Sequence, residues 1–96
     1  MIQINNLSQF KKALKVGQMV KTVNHRYGDM GTRPISIVQS NSFAMKTTKE
    51  SGEIVDSWCE YPKASEIECN GTNEVSIFWD VRGQREKILT YTLIEE

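Results

Sequence analysis

The chain has 96 residues, of which 39% are hydrophobic and 25% are charged, and its formal net charge is zero. This length suits one domain with a modest core, and the composition is that of a globular chain, which excludes extensive disorder. No apolar run approaches the roughly 18 residues of a transmembrane helix, and the first residues lack the features of a signal peptide. We therefore expect a single domain over residues 1–96 and a cytoplasmic location.

The residues that bind metals and form disulfides are few. Cys59 and Cys69 are too few for a disulfide framework and do not have the spacing of a zinc site. His25 is the one histidine of the sequence, so zinc would have to recruit carboxylates instead of its preferred nitrogen and sulfur ligands. We expect two reduced cysteines, no metal and no cofactor.

Charge is divided unevenly along the chain. Residues 1–49 carry eight cations and one acid, a net charge of +7, and residues 50–96 carry four cations and eleven acids, a net charge of −7. Two interpretations stay open. The division could create an electrostatic face, or the two halves could interleave in the fold and neutralise each other locally.

The N-terminal part of the chain predicts a short amphipathic helix over residues 6–16. Leu7, Phe10 and Leu14 recur at the spacing that places them on one face, and Asn6 is a suitable N-cap. Gly17 provides a stop. Because a helix this short is marginal by itself, its apolar side should pack on the rest of the chain.

The remainder, residues 18–94, predicts β-structure. A first strand covers residues 18–25, and a polar loop punctuated by Gly28 and Gly31 then extends to Pro34. Further strands are expected at residues 35–38, 43–48, 54–59, 66–69, 74–81 and 87–94. In the strand at 74–81, Val75, Ile77 and Trp79 share one face.

Short strands at regular spacing, separated by turn signals, indicate a small all-β architecture. We predict a mainly β (α+β) domain with one short N-terminal helix, in which residues 18–94 form a small SH3-like barrel or a strongly curved antiparallel sheet. A small open α+β sheet is the alternative.

Catalysis is difficult to build from these residues. Cys59 and His25 could pair only with a third group to orient the histidine, and no local signature provides one. Gly28 and Gly31 match no phosphate-binding motif, because no Gly-Lys-Ser/Thr follows them. We therefore expect that the chain is not an enzyme.

Binding is easier to support. The predicted loop offers a histidine together with a tyrosine and two arginines, the last two being types enriched at interfaces, and two more arginines lie near a later turn. The expected partner-binding residues are His25, Arg26, Tyr27, Arg33, Arg82 and Arg85. We expect that replacing Arg26 and Arg33 by alanine weakens binding and leaves the melting temperature nearly unchanged.

Two further features bear on recognition. If the partner is a nucleic acid, the basic first half would contact phosphates through Lys21, Arg26, Arg33 and Lys46. Trp58 and Tyr61, near Pro62, could form an aromatic surface for a peptide or a base. The competing expectation for four large aromatic residues is simple core filling; these are Trp58, Trp79, Phe43 and Phe78.

Three stretches carry a resemblance to a known group of proteins: VQSNSFAMKTT at residues 38–48, SWCEYPKAS at 57–65 and LTY at 89–91. With the preceding loop, the chain resembles small uncharacterised proteins of phages and mobile elements of Firmicutes. The resemblance implies stoichiometric binding to a larger host protein or ribonucleoprotein, and inhibition of a defence nuclease such as a CRISPR-Cas effector, as in anti-CRISPR proteins. It implies no residue roles, and the zero net charge departs from acidic DNA mimicry.

Overall fold

A computed structural model describes residues 1–95 of the chain. One helix and seven strands follow in order: α1 Leu7–Ala13, β1 Met19–Asn24, β2 Gly28–Val38, β3 Ser42–Thr48, β4 Ile54–Glu60, β5 Ile67–Cys69, β6 Glu74–Val81 and β7 Gln84–Leu93. A 3₁₀ turn, Ala64–Glu66, lies between β4 and β5. The prediction of a mainly β fold with one short N-terminal helix is confirmed. None of the helices in residues 1–95 has the length and apolar character needed to cross a membrane.

The helix begins where its cap predicts and ends earlier than expected. The Asn6 side-chain oxygen accepts a hydrogen bond from the Gln9 backbone amide at 2.9 Å, as an N-cap should. Predicted to extend to residue 16, α1 ends at Ala13 because Leu14 takes an extended conformation, with ψ at 114°. Leu14 is nonetheless 3% exposed, so it fills the core from outside the helix.

All seven strands form one antiparallel sheet in the order β4-β3-β2-β1-β7-β6-β5. The sheet is open, since β4 and β5 are its edges and do not pair with each other. The predicted SH3-like barrel over residues 18–94 is therefore not confirmed. A closed barrel would need a ladder between these edges, and β5 has only three residues to offer.

The sheet is nevertheless curved. Phe43 in β3 and Tyr91 in β7 are separated by two strands, yet their ring centroids are 6.0 Å apart. In a flat sheet, three strand spacings would separate their backbones by about 14 Å. The face that carries both rings is therefore concave, and we call it the concave face.

The core fills the concave face, and α1 covers it. Phe10, fully buried, stacks on Tyr91 at 6.0 Å and meets the edge of Phe43 at 6.3 Å. Burial of each large apolar side chain contributes about 1.5–3 kcal/mol. The cluster comprises Ile4, Phe10, Leu14, Val20, Ile35, Phe43, Met45, Val75, Ile77, Tyr91 and Leu93.

Core filling is confirmed for Phe43 and wrong for both tryptophans. Trp58 is 51% exposed and Trp79 is 48% exposed. Phe43 pairs with Cys59 on the concave face, and the next pair along the strands is Ala44 with Trp58. Because successive side chains alternate between faces, Trp58 lies on the opposite, convex face. Trp79 is on the concave face, two residues beyond buried Ile77, where the core ends. Phe78 is half-buried on the convex face.

The predicted loop over residues 24–34 is wrong. The structure has a three-residue turn at 25–27, and β2 begins at Gly28. Gly28 and Gly31 have positive φ angles of 102° and 82°, and the register between β1 and β2 shifts between Lys21 and Val23. Gly31 therefore serves a β-bulge inside β2, and Gly28 pairs with Asn24 at the end of the β1–β2 turn. In the sequence both glycines look like loop residues.

Candidate functional site

Two hairpin turns meet at one end of the sheet. The β1–β2 turn and the β6–β7 turn are neighbours because β1 and β6 both pair with β7. Arg26 in the first hairpin forms an ion pair with Glu86 in the second, at 3.3 Å. Arg26 and Arg82 both line a depression of about 520 Å³ between the turns. We call this surface, comprising His25, Arg26, Tyr27 and Arg82, the hairpin end.

The first turn is held by local hydrogen bonds. The Asn24 side-chain oxygen accepts from the backbone amides of Arg26 and Tyr27, at 2.9 and 3.2 Å. The ring of His25 is anchored to β7, with Nε2 2.7 Å from the Thr90 hydroxyl. Tyr27 is 87% exposed, so a fixed backbone presents a free aromatic side chain.

The second turn contains a strained residue. Arg82 has a φ angle of 52°, and within residues 1–95 it is the one residue other than glycine with a positive φ. With Gly83, whose φ is 80°, it forms the two-residue connection between the paired residues Val81 and Gln84. Both central residues have positive φ, as in a type I′ turn, where asparagine followed by glycine is preferred. An arginine in this conformation lowers the stability of the fold, and strained residues of this kind are concentrated at functional sites.

The structure does not bring Arg33 to the hairpin end. Arg33 pairs with buried Val20, which places its side chain on the concave face. Its Nη1 donates to the Thr47 hydroxyl at 2.9 Å, and its Nε is buried without a hydrogen-bond partner in residues 1–95. Arg33 is therefore half-buried against the core instead of being presented to a partner.

Arg85 is also held within the fold. Its Nη1 lies 2.8 Å from the Glu68 carboxylate, and its guanidinium lies 4.2 Å above the centre of the Phe78 ring. Its Nη2 also donates to the Ser65 carbonyl at 3.3 Å. Arg85 thus connects β7 to β6 and to the segment around β5. Four of the six predicted partner-binding residues therefore form the hairpin end, and Arg33 and Arg85 do not.

The residues predicted to bind nucleic acid do not form a free basic surface. Lys21, Arg26 and Lys46 each lie within ion-pair distance of a carboxylate, namely Asp29 at 3.8 Å, Glu86 at 3.3 Å and Asp56 at 2.9 Å. Two of these pairs join the basic half of the sequence to the acidic half. The halves therefore interleave at these positions.

Cys59 and His25, the pair considered for nucleophilic catalysis, contact different side chains: His25 contacts the Thr90 hydroxyl, and Cys59 contacts the Tyr91 hydroxyl. The pKa of the Cys59 thiol is raised by burial, against the smaller opposing effects of the Tyr91 hydroxyl and the charge of Arg33. The pKa of Tyr91 is likewise raised, chiefly by burial. A raised pKa disfavours the reactive thiolate. Among residues 1–95, no group of three or more His, Cys, Asp or Glu side chains is placed to hold a metal ion.

A groove on the concave face was missed by the interpretation of the sequence. It is lined by Tyr61 and Pro62, as expected, but the tryptophan beside them is Trp79 and not Trp58. The alternation of Val75, Ile77 and Trp79 was a signal that Trp79 faces the core side of β6. What the alternation could not show is that β6 continues past the core.

The fold and surface thus define a small curved antiparallel sheet with a covering helix, a hydrogen-bonded hairpin end and an aromatic groove. Comparison of the chain with models of known protein families, with curated proteins and with solved structures gave no match.

Proposed function

We propose that this chain is a non-enzymatic binding protein that acts by stoichiometric contact with a larger protein or ribonucleoprotein, and that the hairpin end makes the contact. One observation carries the proposal: exposed Tyr27 and strained Arg82 lie on adjacent turns. Tyrosine and arginine are enriched among the residues that dominate binding energy at interfaces. A surface that presents both, one of them at a cost in stability, fits recognition better than a purely structural role.

The hairpin end also has the rigidity that recognition favours. The bonds from Asn24, the contact of His25 with Thr90 and the pair of Arg26 with Glu86 hold the turns in one arrangement. A surface that is ordered before binding loses less conformational entropy when its partner arrives.

A protein partner is favoured over a nucleic acid. Lys21, Arg26 and Lys46 are already paired with carboxylates, so contact with phosphates would require these pairs to break. Nucleic-acid affinity comes largely from cations that neutralise phosphates. The resemblance to phage and mobile-element proteins supplies a context, in which the partner is a bacterial defence nuclease such as a CRISPR-Cas effector in the cytoplasm.

The test is capture of a partner from a bacterial lysate with matched variants. The immobilised wild-type chain should retain a protein in stoichiometric amount after nuclease treatment of the lysate. Each loss at a hot spot costs about 2 kcal/mol, or about 30-fold, so the double variant Tyr27→Ser with Arg82→Asn should weaken retention by roughly 1,000-fold if the two losses add. The control is Val16→Ser, because Val16 is 69% exposed and follows α1, outside the hairpin end.

Three results would contradict the proposal. They are no retained protein at any salt concentration, equal retention by the double variant, and retention of nucleic acid without a stoichiometric protein. The last result would favour the nucleic-acid alternative.

A further inference from the structure

The aromatic groove is a second surface with a defined chemistry. One side is the segment that connects β4 to β5, and the other is formed by β6 and β7. The groove has a volume of about 260 Å³. Its lining includes Glu60, Tyr61, Lys63, Glu66 and Trp79.

The aromatic walls of the groove are held in place. Tyr61 packs on Phe43 with ring centroids 5.3 Å apart, and Lys11 of α1 lies 5.0 Å from the centre of the Tyr61 ring. Trp79 is anchored through its backbone, which pairs with Glu86 in β7. Since Trp79 is 48% exposed, its ring remains accessible.

Carboxylates stand at the rim. Glu66 Oε1 accepts a hydrogen bond from the Lys63 backbone amide at 2.8 Å, which fixes that side chain at the groove. Within residues 1–95, neither Glu60 nor Glu66 forms an ion pair. The groove therefore combines an accessible tryptophan with two carboxylates whose charge is not neutralised by a direct cation contact.

A similar combination of an aromatic ring and a carboxylate elsewhere in the chain already binds an arginine. On the convex face of β6, the guanidinium of Arg85 lies 4.2 Å above the Phe78 ring, and its Nη1 lies 2.8 Å from the Glu68 carboxylate. The Lys87 ammonium lies farther from the same ring, at 5.8 Å, so the arginine makes the closer contact. Trp79, the next residue, presents its ring on the opposite face, again beside carboxylates. In residues 1–95 no cation lies over the Trp79 ring.

We propose that this groove binds the side chain of an arginine presented by the partner polypeptide, with the guanidinium stacked on Trp79 and directed at Glu60 and Glu66. Tryptophan is the best aromatic platform for a cation, and a planar guanidinium stacks where an ammonium cannot. The inference rests on the proposed function, because it names the chemistry of the partner. The groove and the hairpin end are contiguous, since Trp79 pairs with Glu86, the residue that holds Arg26.

Two cations of the chain compete at the groove, Lys11 over the Tyr61 ring and Lys63 in the lining. Lys63 is the one that lines the groove directly, and it forms no ion pair within residues 1–95. Its ammonium opposes the entry of a second cation, so the neutral variant Lys63→Gln should bind an arginine side chain more tightly than wild type.

The test is a titration followed by ¹H–¹⁵N NMR, with the blocked peptide Gly-Arg-Gly-Arg-Gly as the probe. Saturable shifts should appear at Tyr61 and at the Trp79 indole. The matched peptide with citrulline, which is neutral and nearly the same shape as arginine, should bind at least about fivefold more weakly, as expected for loss of a cation–π contact and exposed ion pairs.

Variants locate the site. Trp79→Leu and Glu60→Gln should each weaken binding by about two- to fivefold, the range expected for one cation–π contact or one exposed ion pair. Lys63→Gln should strengthen binding, and Trp58→Phe, on the convex face, should leave it unchanged. Glu60 is exposed, so Glu60→Gln tests the site without risk to the fold.

Three outcomes would overturn the inference: no saturable shift with the arginine peptide, equal binding of the citrulline peptide, and preference for a lysine or proline-rich peptide. The peptide titration needs no partner, and the lysate capture uses Tyr27 and Arg82. Failure of this inference is therefore distinguishable from failure of the proposed function.

Discussion

Replacing Arg82 by asparagine should stabilise the chain. A left-handed backbone conformation costs a residue with a side chain roughly 1–2 kcal/mol, and asparagine reduces this cost because its short amide bonds locally. Arg82 is exposed and makes no hydrogen bond or ion pair within residues 1–95, so little is lost with its side chain. We expect Arg82→Asn to raise the free energy of unfolding by about 0.5–1 kcal/mol.

This magnitude translates into a measurable melting temperature. The entropy of unfolding is about 2.1 cal/mol/K per residue, or about 0.2 kcal/mol/K for 96 residues. Arg82→Asn should therefore raise the melting temperature by about 2–5 °C. Thermal melts followed by circular dichroism, with urea unfolding as a second measurement, are sufficient to detect it.

Gly83→Ala is the matched control. A Cβ added to Gly83 would meet no atom within 4 Å, so its effect reports backbone strain alone, at a φ of 80°. This variant should lower stability by about 1 kcal/mol. A lower melting temperature for Arg82→Asn would refute the argument that the arginine is retained against stability, and would mean that its side chain supports the fold.

Three further predictions concern the fold. Phe10→Ala should lower the free energy of unfolding by about 3–5 kcal/mol in urea melts, because a fully buried ring is removed from the core. The pKa of Asp56 is lowered in the folded chain, mainly because its carboxylate accepts a hydrogen bond from Lys46. The stabilisation that this carboxylate contributes is therefore complete above its unfolded pKa of about 4 and is lost as pH falls through its folded pKa. Asp56→Asn should accordingly melt below wild type at pH 7, and the difference should shrink as pH falls below about 4. A constant difference would contradict this. Arg33→Ala should lower the free energy of unfolding by about 1–2 kcal/mol. The Thr47 hydroxyl would lose its hydrogen-bond donor, and the arginine side chain would no longer pack over the core. That cost revises the expectation that replacing both Arg26 and Arg33 by alanine leaves the melting temperature nearly unchanged, and an unaltered melting temperature for Arg33→Ala would contradict the revision.

The elements that the sequence predicted well depend on neighbours along the chain. Asn6 caps α1 and Phe10 reaches the core because capping and helical periodicity are local. The two-residue turn at Arg82 and Gly83 joins two strands that lie close to their predicted positions.

The candidate site was predictable only as separate parts. His25, Arg26 and Tyr27 were identified together because they are consecutive, and Arg82 was identified as a turn residue. These residues lie on one surface because β1, the first strand of the chain, pairs with β7, the last. No local pattern contains that pairing, and none shows that Arg33 turns inward.

The sequence by itself determined the mainly β class, the capped helix, the main turn positions and the alternation of side chains within strands. These features follow from backbone sterics, capping and a period of two, which act over a few residues. The tertiary structure alone decided which glycine belongs to a bulge, which tryptophan reaches the groove, and which cation pairs with which carboxylate. Those outcomes depend on strand order, register and curvature, which are set by contacts between residues far apart in the chain.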